Sequence, residues 1–250
     1  MRKNRNKFDK IIWLLTLASL VLYGLDYLLY GRAAEIGFGF LGNLAFLPMY
    51  VLFVTLMIER ILKQREQDSI RQKLNMVIGV FFSEVGTILL KDCFAFLRNG
   101  SDLAGQVRIT PQWRKQDFAG LAAYVRGYDF AFDCSRGGLD ELKRFLVARR
   151  EFLLTLMGNP NLLEHDDFTE LLWAVFHLLE ELEARTSLHG LSSPDLDHLA
   201  GDVRRVFSHL LRGWVAYLRH LQEDYPYLFS LAVRKNPLNP DARVEIGQNL

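Results

Sequence analysis

Residues 11–58 decide how this chain is read: IIWLLTLASLVLYGLDYLLY (Ile11–Tyr30), then GRAAE (Gly31–Glu35), then IGFGFLGNLAFLPMYVLFVTLMI (Ile36–Ile58). The first run, about 20 residues, extends roughly 30 Å as a helix, which matches the hydrocarbon thickness of a bilayer. It holds one charge, Asp26, and gathers Tyr23, Tyr27 and Tyr30 at one end, as expected where a helix leaves lipid for headgroups. The second run is uncharged over about 23 residues and is long enough to cross with some tilt. So short a connection predicts antiparallel neighbours, a membrane hairpin. Pro48 is expected to kink the second span, and Gly37, Gly39 and Gly42 to let its backbone approach Tyr23, Gly24 or Tyr27 closely.

The basic residues set the orientation. Arg2, Lys3, Arg5, Lys7 and Lys10 precede the first span, and Arg60, Lys63, Arg65, Arg71 and Lys73 follow the second. The turn offers only Arg32, offset by Glu35. The positive-inside rule therefore places both termini in the cytoplasm, in an inner (cytoplasmic) membrane protein whose basic flanks meet anionic lipid. A cleaved signal peptide is the rival reading of the first run. Its apolar core is longer than the roughly 7–15 residues of a signal h-region, and a second span follows at once.

The 250 residues and net charge of +1 leave one domain with a real core outside the lipid, and nothing in the balance argues for a nucleic-acid partner. Cys93 and Cys134 stand alone, without the spacing of a zinc site or redox dithiol, and read as buried thiols.

Past Ile58 the chain turns polar without Gly or Pro, so residues 59–73 read as a helical stalk continuing the second span. Leu74 to Leu90 is apolar around nearly its whole circumference. It contains Asn75, Ser83 and Glu84 and is short for a span, so it is expected to be the central helix of a cytoplasmic domain over 74–234, with a third membrane crossing as the alternative. A polar loop is expected between Arg98 and Thr110. Thr110-Pro111 is expected to open a helix to about Arg126. Further helices are predicted from about Leu139 to Met157, from a cap at Asp166 or Asp167, and from the Ser192-Ser193-Pro194-Asp195 signal to about Glu223. A short helix at Tyr227–Val233 and an extended tail over 235–250 close the chain. The fold class is all-α: a transmembrane helical hairpin followed by a cytoplasmic helical bundle.

Six histidines beside acidic helices raise the question of a metal. The candidates are His198, His209 and His220, which recur every eleven residues, joined by Asp202. At about 100° per residue they form one stripe. That stripe lies opposite the apolar face Leu196, Leu199, Val203, Phe207, Leu210, Trp214, Leu218 and Leu221, as His177 and Glu181 lie on the polar face of their own helix. Metal sites in bundles point into the core, so a solvated face is expected, with no metal and no cofactor. No G-x-S-x-G, phosphate loop or HExxH appears, and Gly137-Gly138 reads as a helix start, so catalysis is not signalled. The intramembrane polar residues are Asp26, Asn43 and Thr55. Asp26 lies near the outer boundary of its span, where Arg32 can reach back to it, which favours structural pairing over an ion path.

The segments LGNLAFLPMYVLFVTLMIERILKQRE (Leu41–Glu66), KLNMVIGVFFSEVGTILL (Lys73–Leu90) and YPYLFSLAVRKNPLNP (Tyr225–Pro240) resemble a group of bacterial membrane proteins of unknown function. The resemblance implies no activity. The sequence therefore points to a membrane-anchored cytoplasmic helical module for interaction or signalling, with lipid and a protein of unknown identity as partners. The alternative is a subunit of a pore or transporter, a homo-oligomer lining a path with Asp26 and Asn43; two spans enclose no pore alone, and no filter-like TVGYG is present.

Overall fold

In the computed structural model, residues 2–136, 138–160, 162 and 165–245 are described, with backbone alone for 2–12, 15 and 30. All regular elements among them are helical; one isolated antiparallel bridge joins Leu97 to Phe132. The chain divides into two units, Met1–Gln67 and Asp68–Leu250.

The first unit contains α1 (Arg2–Tyr30) and most of α2 (Ala33–Phe81). Gly31 turns the chain between them at φ +64°, in the left-handed region that glycine tolerates. Arg32 donates to Glu35 at 3.0 and 3.2 Å, so the turn's cation is taken up locally rather than by Asp26. Tyr23 meets the Phe40 ring edge-on at 6.2 Å. The expected close approach at glycines is not seen: no heavy atom lies within 4 Å of where a Cβ would stand on Gly24, Gly37, Gly39 or Gly42. Pro48 lies inside α2, with helix on both sides of it. By length and composition α2 with its continuation is apolar enough to cross a membrane, while the apolar part of α1 among the described residues is the shorter Thr16–Leu29.

In the second unit, α2 is followed without a break by a π-helical turn, Phe82–Gly86, and by α3 (Thr87–Phe94). The Phe82 carbonyl accepts the Thr87 N–H in the widened turn and also the Thr87 Oγ–H at 2.7 Å. Phe81, Phe82, Val85, Leu89 and Leu90 are buried in the main core, so this stretch faces protein. Gly86 is required there, because a Cβ would stand 2.6 Å from the Phe82 ring and 2.8 Å from that of Phe81.

Around this segment lie α4 (Gly100–Gln106), α5 (Lys115–Gly127), α6 (Leu139–Ala148), α7 (Arg150–Met157), α8 (Asp166–Ala184), α9 (Ser193–Asp224) and α10 (Pro226–Arg234). The central element is α9, against which α3, α5, α8 and α10 all pack, while α6 and α7 pack on α8. Phe207 of α9 gathers the rings of Phe94, Phe130 and Phe132 at 5.3 to 6.4 Å.

Several local expectations are corrected. The loop expected after Arg98 contains α4, whose Leu103 is fully buried. The next helix begins at Lys115, after a turn at Thr110, because the Asp117 carboxylate accepts from the Arg114 N–H and caps there. The helix expected over 139–157 is two, broken at Arg149 (φ −104°, ψ 3°). The cap of α8 is His165, whose Nδ1 accepts from the Phe168 N–H at 3.2 Å. The described part of the tail folds back rather than extending. Asn236 and Leu238 are buried, and Asn236 Nδ2 donates to the Val107 carbonyl at 2.7 Å.

Candidate functional site

On α8, His177 and Glu181 stand one turn apart; on α9, so do His198 and Asp202. A spacing of four residues puts each pair on one helical face. His177 faces Asp202 and Glu181 faces His198, so numbers rise on one helix as they fall on the other, as in antiparallel packing. His177 Nε2 lies 3.6 Å from Asp202 Oδ1 and 3.9 Å from Glu181 Oε1. His198 Nε2 lies 3.5 Å from both Glu181 Oε2 and Asp202 Oδ2. One ligand atom from each of His177, Glu181 and Asp202 falls within 4.8 Å of the others.

Two arginines orient the carboxylates. Arg185 Nη1 reaches Glu181 Oε2 at 2.7 Å while its Nη2 holds Asp195 at 2.6 Å, and this guanidinium keeps the Glu181 carboxyl below its ordinary range. Arg205 Nη1 donates to Asp202 Oδ1 at 2.9 Å. Asp202 is only 3% exposed, and among the described residues its Oδ2 is a buried side-chain atom without a hydrogen-bond partner.

The histidine stripe is thus not a uniform solvated face. His198 and Asp202 join the α8 pair, whereas His209 and His220 line a separate cavity of about 180 Å³ with Asn75, His165, Glu170 and Arg212. His209 Nδ1 is 3.9 Å from Glu170, and burial pushes its pKa down toward the neutral imidazole. His220 Nδ1 pairs with Asp224 at 2.8 Å and lies 3.3 Å from Asn75 Nδ2. His177 and Glu181 were the residues that sequence reasoning set aside. The repeated spacing, His-x3-Glu on one helix and His-x3-Asp on the next, was the available signal.

Elsewhere, Asp26 and Asn43 are exposed on α1 and α2. Cys93 and Cys134 are buried free thiols; burial raises both, Cys134 to about 12, which keeps them protonated and poor nucleophiles. Gly137 lies outside the described residues, and Gly138 starts α6 at φ +90°.

A helical bundle whose two best-packed helices share a histidine and carboxylate cluster, joined to an apolar N-terminal helical unit, defines an all-α protein of two helical parts. The same division appears in known sequences: residues 70–234 match the family described as "Uncharacterized protein MJ1433, C-terminal helical domain", and residues 2–62 match "MJ1433, N-terminal helical domain". A Methanocaldococcus jannaschii protein, "Uncharacterized protein MJ1433", is 42% identical over 221 residues, covering 88% of this chain and 89% of that relative. The chain belongs to this MJ1433 family. The relative is archaeal, where the sequence resemblance had pointed to bacterial proteins. No solved structure matches the chain.

Proposed function

We propose that the chain is a membrane-anchored helical interaction module, with a hairpin in the cytoplasmic membrane and the helical bundle and both termini on the cytoplasmic side. The observation that carries this is the exposure of the first unit's apolar side chains: Leu28 is 82% exposed, Phe38 83% and Phe53 70%, and neighbours such as Tyr27, Phe40, Leu52 and Val54 are exposed too. An apolar surface of that extent is not sustained in water by an isolated chain, and lipid covers it. The basic residues at 2–10 and 60–73 flank it, and Arg32 between them is neutralised by Glu35. In the bundle, Trp173 is 59% exposed and Tyr227 is 71% exposed; these are residue types that dominate the energetics of protein contacts.

Two measurements test the reading. The full chain should resist alkaline carbonate extraction from membranes. Single cysteines placed at the exposed Ala34 and Ser187 should label from opposite sides with an impermeant thiol reagent, since the native cysteines are buried. Release by carbonate, or labelling of both sites from outside, sinks the topology. For the interaction role, a photo-crosslinking residue at Trp173 should give a discrete protein adduct in cells, and its absence there and at Tyr227 counts against a module of this kind.

A further inference from the structure

The geometry points to an intrinsic site for a divalent first-row transition ion, of the zinc class, held by His177 and Glu181 of α8 and Asp202 of α9, whose ligand atoms lie within 4.8 Å of one another, with His198 of α9, 3.5 Å from both carboxylates, closing in as the fourth ligand. The site goes beyond the membrane reading and does not rest on it.

Four observations converge. The donor set is two imidazoles and two carboxylates, which suits Zn2+, Co2+, Mn2+ or Fe2+ better than the all-oxygen shells that Mg2+ and Ca2+ prefer. The four contacts between imidazole and carboxylate, at 3.5 to 3.9 Å, exceed the usual hydrogen-bond range. Two of them, His177 Nε2 to Glu181 Oε1 at 3.9 Å and His198 Nε2 to Asp202 Oδ2 at 3.5 Å, reach the carboxylate oxygens that no arginine holds, and the second matches the spacing of about 3.3–3.5 Å between neighbouring ligands of a tetrahedral ion whose bonds are about 2.0–2.1 Å.

Next, Asp202 Oδ2 is buried, lacks a hydrogen-bond partner and lies 3.5 Å from His198 Nε2. Buried carboxylate oxygens are normally paired or metal-bound. Arg205 binds the other oxygen, Oδ1, which fixes the carboxylate plane and leaves Oδ2 free to ligate. Arg185 acts likewise on Glu181 through Oε2. Outer partners of this kind orient ligands in metal sites.

Finally, the imidazoles of His177 and His198 are 45% and 53% exposed, so an ion can enter from solvent and meet a buried carboxylate, Asp202, beneath them. An ion here ties α8 to α9 across the most extensively packed helix pair in the bundle.

The rival is a plain cluster of imidazole and carboxylate pairs, and metal titration separates the two. Full-length protein purified in detergent without a histidine tag, stripped with chelator, is titrated with Co2+ and back-titrated with Zn2+. The expected result is a saturable visible Co2+ spectrum of low-symmetry tetrahedral or five-coordinate type, displaced by Zn2+, with a Zn2+-dependent rise in melting temperature. His177→Gln and His198→Gln, at half-exposed positions, should keep the helical circular dichroism and weaken binding by about ten- to a hundredfold or more. Asp202→Asn should do the same, and His220→Gln, in the separate cavity, should bind as the parent does. No spectrum and no stabilisation in the parent overturns the site. So does parent-like binding in both His177→Gln and His198→Gln.

Discussion

The ring of Phe82 lies parallel to that of Tyr217, with centroids 5.1 Å apart and planes inclined by 11°. Phe82 comes from the π-helical turn and Tyr217 from α9, so this stack couples the irregular turn to the helix at the centre of the bundle. Phe82 also touches Phe81 edge-on at 5.3 Å and is fully buried. Phe82→Ala removes the stack and leaves a cavity, and should cost about 3–5 kcal/mol of stability, read as a lower unfolding midpoint. A loss under about 1 kcal/mol means that the site collapses around the gap or that the stack matters little.

Gly86 sits against the same rings. In Gly86→Ala the added methyl meets two fully buried phenyl groups, and the expected loss is about 1–3 kcal/mol. Gly120, exposed on α5 with open space at its Cβ position, is the control. Gly120→Ala should be neutral or stabilise by about 0.4–1 kcal/mol. Thermal unfolding of the pair in one detergent checks the contrast.

Asp133 accepts from the Ser135 hydroxyl at 2.5 Å and the Ser135 N–H at 3.0 Å, and pairs with Arg98 at 3.0 Å. The two Ser135 bonds, then the Arg98 guanidinium, hold its carboxyl below the ordinary carboxylate value. The unfolded chain then binds a proton at a pH where the folded chain does not. The contribution is complete above the unfolded value of about 4 and is lost as pH falls through the lower folded value. Asp133→Asn should be less stable at neutral pH and lose less on acidification. Parallel unfolding curves for parent and variant between neutral and acid pH would contradict this.

Asn236 anchors the tail. Its amide donates to the Val107 carbonyl, its Oδ1 accepts from the Leu238 N–H at 3.0 Å, and the residue is 3% exposed. Asn236→Ala strands two buried backbone groups and should cost about 1–3 kcal/mol. Faster proteolysis of the tail than in the parent is the companion readout, and unchanged protease resistance would show the anchor to be dispensable.

The all-α class and the principal helices were legible because long helices carry their own periodicity. Phe168 to Leu182 and Leu199 to Leu221 repeat apolar residues on one face and are buried as such. The misses fall where tertiary contacts overrule local signals. Gly100–Gln106 carries two glycines yet forms a helix, because Leu103 is buried against the core. The tail bends because Asn236 and Leu238 find partners over a hundred residues earlier or inside the bundle. The cluster was missed for a related reason. Reading α9 as one apolar stripe opposite one polar stripe suits a helix at a surface, but several helices surround α9. Val206, Leu211 and Val215 are buried along with the expected face, and Asp202 goes under with them.

The π-helical turn at Phe82–Gly86 has a genealogical side. Such a turn holds one residue more than an α-helical turn of the same pitch, and it is the form that a single inserted residue takes when a helix keeps going around it. A relative one residue shorter in this region should show an uninterrupted α-helix, with its alignment gap inside the helix rather than in a loop. Deleting Ser83 or Glu84, the exposed residues of this turn, should then be tolerated better than a deletion in α9, because the helix already carries the surplus.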